Sequence, residues 1–301
     1  MMDVLGLGCS AVDELIYVPT FPTPETKLRV SRRERQCGGL TATALVAAAR
    51  LGAKAAYAGV LGSDADSHFV LDSLKRENVD VQYVCRRPEA RPIHSTILVD
   101  EARRTRTILF DLAGSTGADP TWPPEEIIRA TKVLYVDHYG IEGMTRAARI
   151  ARSARIAVVA DLERNEWPGF DELLALVDHL IVSQAFAERL TGIADPGKAA
   201  SSLWRADRQV VVVTAGENGC WYRGKDEELV IHHPAFEVEV LDPTGCGDVF
   251  HGAYAAALAH GTPLHERIRF ASAAAAIKAM HRGGQAGIPT RSAVEQWLAM
   301  K

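Results

Sequence analysis

The sequence predicts an α/β protein whose mostly parallel central sheet is covered by helices on both faces and accompanied by a small second β-sheet. Three observations lead there. Short runs that are apolar throughout alternate with longer stretches of helical periodicity, the pattern of parallel strands buried on both sides. Two other regions alternate apolar and polar residues, as half-buried strands outside such a sheet do. No repeat, low-complexity stretch or linker divides the 301 residues. One unit spanning 1–301 is therefore expected, with the small sheet drawn from about 13–37 and 94–111 and serving as a lid.

Taken in order, "VLGLG" (4–8) opens the central sheet, and "DELIYVPTFP" with "KLRVSRRERQC" (13–37) supplies the first half of the lid. "TATALVAAARLG" (41–52) is a helix closed by Gly52, because glycine accepts the left-handed conformation that ends helices. "AAYAGVLG" (55–62) is a strand, and "DSHFVLDSLKREN" (66–78) a helix capped by Asp64. "HSTILVDEARRTRTILFD" (94–111) reads as a hairpin turning near Glu101-Ala102-Arg103-Arg104. "KVLYVD" (132–137), "IAVVAD" (156–161), "HLIVS" (179–183) and "VVVVT" (210–214) are further strands, with a helix at "GMTRAARIARSAR" (143–155). "AFEVEVLD" (235–242) alternates as a strand that Pro243 helps to end, and helical pattern fills the chain from Gly247 onward.

Composition narrows the function. A net charge of −4 without a long basic run argues against nucleic acid or an anionic membrane as partner. The five cysteines are scattered and lack C-x-x-C spacing, which fits buried free thiols in a reducing compartment. No segment approaches the roughly 18 apolar residues of a membrane span. A cytoplasmic protein is expected.

The chemistry concentrates in "DPTGCGDVFHGAYAAALAHG" (242–261). Gly245 and Gly247 let the backbone turn sharply and approach a ligand, and a helix beginning near Gly247 aims unpaired N–H groups at that turn. Asp248 then falls in the first helical turn. A carboxylate beside such donors suits phosphoryl transfer, which asks for positioning, charge stabilisation and a base for the attacking hydroxyl. The helix dipole is expected to lower the pKa of Asp248. On spacing alone, an ordinary helix-start acid explains the residue equally well.

The stretch "DPTGCGDVFHGA" resembles the second signature of the PfkB, or ribokinase-like, carbohydrate kinases, with Pro243 for a common Thr and Cys246 for the usual Ala. The resemblance implies Asp248 as catalytic base and Gly245-Cys246-Gly247 as anion hole. It extends to "GLGCSAVDEL" (6–15), where Asp13, at a predicted strand end, would bind sugar hydroxyls. The run from "CGGLTATALVAAARLG" onward is similar to the first signature, with Gly38 and Gly39 lining the sugar pocket. "VVVVTAGENGCWY" (210–222) is similar to the nucleotide-binding strand and turn, implying ATP contacts at Thr214 and Gly216, while Gly219 also suits the turn alone. "FASAAAAIKAMHRGGQAGIP" (270–289) matches the region that sandwiches adenine. The implied fold is a three-layer ribokinase-like sandwich with a β lid.

One departure concerns metal. The family's N-x-x-E before "LTG" is here Ser183 and Phe186, so the carboxylate that helps place Mg²⁺ is missing and no protein metal ligand is assigned. His232, His233 and His251 read as strand-end and helix residues. The implied cofactors are ATP and Mg²⁺, with a monovalent cation left open. The C-terminal third looks closest to sulfofructose and other ketose kinases, a subgroup that tends to carry Ser at the Ser183 position. A substrate sulfonate would need cations: Lys27 on the lid is one candidate, Arg29 a weaker one, and His138 stands where an arginine is expected. A ketose or related furanose is the expected acceptor, with a nucleoside kinase as alternative and an inactive sugar- or nucleotide-binding regulator as the competitor from another class. A homodimer through the lid is expected.

Overall fold

The computed structural model describes residues 1–103 and 105–301. The chain begins with β1 (Met2–Leu7), β2 (Ala11–Val18), β3 (Arg32–Gly38) and α1 (Leu40–Arg50). β4 (Ala55–Tyr57), β5 (Val60–Leu61), α2 (Ala65–Arg76), β6 (Cys85–Arg86), β7 (Ile93–Asp100) and β8 (Thr105–Asp111) follow. Then come α3 (Glu125–Arg129), β9 (Thr131–Val136), α4 (Ile141–Ser153), β10 (Ala157–Asp161) and α5 (Phe170–Leu176). β11 (His179–Ser183), α6 (Gln184–Thr191), α7 (Pro196–Leu203) and β12 (Val210–Thr214) complete the alternation. The chain closes with β13 (Cys220–Gly224), β14 (Ile231–His233), α8 (Cys246–Ala259), α9 (Leu264–Ala279) and α10 (Arg291–Ala299).

Eight strands form the central sheet in the order β14-β13-β12-β11-β10-β9-β1-β4, parallel from β12 to β4, with β13 and β14 antiparallel at one edge. Consecutive residues of one strand enter opposite cores. Val4, Val133, Val159, Ile181 and Val212 pack with α1, α8 and α9. Leu5, Leu134, Val158, Leu180 and Val211 pack with α4, α5 and α6. This explains why the strands are apolar at every position: both faces of the pleat are buried. The outcome is the expected three-layer sandwich.

The second sheet has the order β3-β2-β7-β8, with β2 and β7 parallel and both outer pairs antiparallel. Its alternation buries Leu15, Tyr17 and Ile97 together, whereas all of β8 is exposed. Of the expected turn residues, Arg104 lies outside the described residues. Asp64 caps α2 as expected, accepting the Ser67 amide at 3.0 Å. Four of the five cysteines are buried free thiols, and Cys246 is half-buried. No helix is long and apolar enough to cross a membrane among the described residues.

Three expectations change. The run 55–62 is two strands, because the chain changes partner within it: the Ala58 amide still donates to Gly6 beside β1, but that of Val60 donates to Gly117. β5 therefore leaves the central sheet and pairs with β6. The run 235–242 is not a strand; the last strand ends at His233, and the following segment is tied by the amides of Leu241 and Asp242 to the Ala279 carbonyl. Residues of both phases of its alternation, among them Phe236, Glu237 and Val238, line a cavity instead of a pleat. Asp13 lies inside β2, opposite Gln36 of β3, not at a strand end.

Candidate active site

Because β1 and β9 to β12 run parallel, their carboxyl ends share one edge, where open α/β sheets bind ligands. Asp161 ends β10, Ser183 ends β11 and Thr214 ends β12. The N-terminus of α8 meets the same edge, anchored by His251, whose Nε2 lies 3.0 Å from the Ile181 carbonyl and whose Nδ1 lies 2.8 Å from that of Gly247.

The turn before α8 is built by Gly245, which is left-handed with φ of 76° and caps the helix. A Cβ at Gly245 would sit 2.7 Å from the Gly284 carbonyl oxygen, so this glycine serves both conformation and packing. Gly247 differs: a methyl group there would have no neighbour within 4 Å and would project into open space. The amides of Gly245 and Gly247 meet no acceptor among the described residues, leaving two donors at the positive end of the helix. Asp242 stiffens the turn from behind, its carboxylate accepting the amides of Thr244 and Gly283 at 2.8 Å each.

Asp248 is the third residue of α8. Its carboxyl is pushed well above the usual carboxylate range, chiefly by burial and then by the negative charges of Asp161, Glu163 and Asp13, with Lys278 pulling the other way. The expected lowering by the helix dipole is thus overturned. A terminal dipole contributes a partial charge, whereas loss of water and three nearby acids act together. A carboxyl tuned upward is a better proton acceptor than an ordinary aspartate.

Asp13 lies close enough for its charge to act on Asp248, and burial raises its own pKa to about 6. Gly38 leaves room for it, since a Cβ there would collide with the Asp13 carboxylate. Gly39, with φ of 94°, starts α1 and packs on Ser10, where a Cβ would lie 2.6 Å from the Ser10 Cα. Lys27 and Arg29 are exposed in the segment between β2 and β3. His138 is only 1% exposed, stacks on Trp167 at 5.2 Å and is held down to about 4 by burial. At neutral pH it offers no positive charge to an anionic sugar.

On the other side of α8, a cavity of about 430 Å³ is lined by Thr214, Gly216, Gly219, Cys246 and Gly247. Val238, Val240, Ala275 and Ala276 give it apolar walls. Gly216 faces open space, whereas a Cβ at Gly219 would run into the His233 carbonyl, so Gly219 serves the turn. Ser183 does not line this cavity. It caps α6, accepting the Phe186 amide at 3.2 Å, and faces a neighbouring hollow with Glu163 and Arg189. Phe186 is core. Among the described residues no three His, Cys, Asp or Glu side chains are grouped to hold a metal ion.

Sequence reasoning missed three acids. Asp242 stood in the motif without a role. Asp137, fully buried, accepts the Cys9 amide at 2.7 Å, the Thr41 hydroxyl at 2.9 Å and the Tyr139 amide at 2.8 Å, joining the ends of β1 and β9 to the start of α1. Asp161 accepts the Tyr135 hydroxyl at 3.2 Å and lies 3.4 Å from His251 Nδ1. The signal was present: each acid of the latter pair directly closes an apolar run at the ligand-binding edge of the sheet.

The family model described as "pfkB family carbohydrate kinase" matches residues 7–291. The chain belongs to the pfkB family of carbohydrate kinases. As such a kinase it is a phosphotransferase with an alcohol group as acceptor. It is 31% identical over 302 residues to a ribokinase of Haemophilus influenzae, covering 97% of each chain. It is 30% identical over 326 residues to the probable fructokinase-2 of Arabidopsis thaliana, covering 96% of this kinase and 94% of that protein. Among solved structures, an Agrobacterium tumefaciens protein provisionally assigned as a ribokinase superposes with a TM-score of 0.91 at 28% identity, covering 100% of this kinase and 99% of that chain. The Arabidopsis ribokinase solved with ribose and ATP has the same fold, with a TM-score of 0.85 at 22% identity over 99% and 98% of the two chains.

Proposed function

We propose that this kinase moves the γ-phosphoryl group of ATP to a primary hydroxyl of a furanose sugar of the ribose or fructose class. One observation carries the reading: the raised carboxyl of Asp248 adjoins the free amide of Gly247, with Asp13 on one side and the apolar cavity on the other. In this reading ATP enters that cavity with its base against Ala275 and Ala276 and its phosphates toward Gly216 and Gly247. Asp13, Gly38 and Gly39 hold the sugar. Asp248 takes the hydroxyl proton as the oxygen attacks the γ-phosphorus, and the amides of Gly245 and Gly247 hold the charge of the transferring group. Magnesium comes with ATP as part of the substrate, bound by phosphates and water.

The whole chain acts as one kinase unit, and the small sheet closes over the sugar to exclude water. Similarity to ribokinases and fructokinases supports a pentose or ketohexose. Sulfofructose falls within this chemistry, with Lys27 as the candidate cation for a sulfonate. Two copies pair along the small sheet, whose edge strand β8 exposes Ile108, Leu109 and Phe110.

An ADP-release screen over ribose, fructose, sulfofructose, sugar phosphates and nucleosides tests the proposal. Saturable turnover with ribose or fructose is expected. Turnover confined to nucleosides, or tight sugar binding without ADP release, overturns it.

A further inference from the structure

Lys278 is the feature that the roles above leave unused. It lies in the last turn of α9, is 0% exposed, and has no carboxylate oxygen within 4 Å of its Nζ among the described residues. Lysine is almost never buried this completely without a partner, since its ammonium gives up hydration. Its contacts are backbone: Nζ donates to the Asp242 carbonyl oxygen at 2.8 Å and approaches that of His281 at 3.5 Å. Asp242 opens the turn that leads to Gly245 and Gly247, and His281 precedes the Gly283 loop that binds the Asp242 carboxylate. Asp242, Cys246, Asp248 and Arg106 are the ionisable groups near enough to act on the ammonium.

We propose that Lys278 is a built-in cation that positions the anion-hole turn, so that the enzyme needs no monovalent metal ion for this purpose. The geometry supports three parts of the claim. The ammonium is held by carbonyl oxygens, the same groups that replace the hydration shell of potassium. It links two separate segments, the turn before α8 and the loop after α9. It places a fixed positive charge behind amides that face a transferring phosphate. Lys278 reaches no substrate in this arrangement; it acts through the Asp242 backbone and is a positioning residue.

The inference rests on the kinase reading of the α8 turn, and its test has an arm independent of turnover. Native enzyme and Lys278→Ala are assayed with the accepted sugar in choline, sodium, potassium or ammonium chloride at equal ionic strength. Native kcat is expected to vary less than about twofold among the salts. Lys278→Ala is expected to lose about 10- to 100-fold in kcat, with a smaller change in sugar KM. Potassium or ammonium should restore at least several-fold, and choline nothing. Lys278→Met, which keeps the apolar stem, should show the same loss without rescue, because the stem fills the space an ion would take. In parallel, crystals of the native protein and of Lys278→Ala are grown in rubidium chloride. Anomalous density between the Asp242 and His281 carbonyls is expected in the variant alone. Potassium activation of the native enzyme, rubidium at this place in the native crystal, or a folded Lys278→Ala that is fully active in choline would each overturn the proposal. Failure of every sugar to turn over would instead overturn the kinase reading, leaving the rubidium comparison to decide the role of Lys278.

Discussion

Asp242 Oδ2 accepts the backbone N–H of Gly283 at 2.8 Å, joining the turn that precedes α8 to the loop that follows α9. The other carboxylate oxygen takes the Thr244 amide, so one side chain ties the turn before α8 to the loop after α9. Asp242→Ala is expected to lower kcat by about 10- to 100-fold, because misplacing the donors by even 1 Å is costly. Its thermal stability should also fall, by about 1–3 kcal/mol for two amides left without their acceptor. Asp242→Asn, which keeps one acceptor oxygen, should lie between. Steady-state kinetics and thermal melts check both numbers.

Asp248→Asn removes the proposed proton acceptor while preserving size. A loss of about a thousandfold in kcat with little change in ATP KM is expected. Near-native turnover would remove Asp248 from the mechanism. Because burial and neighbouring acids raise this carboxyl, the acid limb of the kcat/KM profile should lie well above pH 4, the usual aspartate range.

Asp13 carries a cost in the ligand-free protein. Its pKa rises from 3.8 in the unfolded chain to about 6 in the fold, so the native state keeps a proton that the unfolded chain has lost. Its contribution to stability therefore falls as pH rises from about 4 to about 6, then stays constant. Asn has no charge to bury. Asp13→Asn should match native stability near pH 4 and exceed it by about 1–3 kcal/mol at pH 7.5, while sugar KM rises steeply. Urea unfolding at the two pH values reads the first effect. Equal pH dependence in both proteins would show that Asp13 is not held in a desolvated place.

Two glycines separate function from folding. A methyl at Gly247 meets only open space, so Gly247→Ala should melt like the native protein yet lose most ATP turnover. A methyl at Gly219, where φ is 82°, runs into the His233 carbonyl. Gly219→Ala should therefore melt lower, and its activity should fall in step with folded fraction. Paired melts and kinetics distinguish the two patterns.

Pairing through the small sheet is open to a mass measurement. Sedimentation is expected to give twice the mass of one chain, and Leu109→Lys on the exposed β8 strand should shift the protein toward monomer. A native monomer at micromolar concentration would discard the pairing.

Much of this molecule was legible as a string. Strands buried on both faces leave apolar runs that no surface element shares, so β9, β10, β11 and β12 could be placed within a residue of their observed bounds. The same clarity applied to "DPTGCGDVFHGA", where a glycine turn, a helix start and an acid sit within a few residues. Short helices such as α6 and α7, and the edge strands β13 and β14, lacked comparable length or periodicity. The segment 235–242 misled because its alternation is met by no neighbouring strand; the chain lines a cavity there instead.

The sequence by itself determined the layered fold, a periodic property set by neighbours along the chain, and its motifs carried the resemblance that singles out Asp13, Gly38, Gly39, Gly245, Gly247 and Asp248. Only the tertiary structure decided that Asp248 is a raised rather than a lowered acid, that Asp137 and Asp161 share its edge of the sheet, and that Lys278 donates to Asp242 from 36 positions away. Those depend on which charges and carbonyls are brought together away from bulk water. Such meetings are made by folding, and spacing along the chain does not contain them.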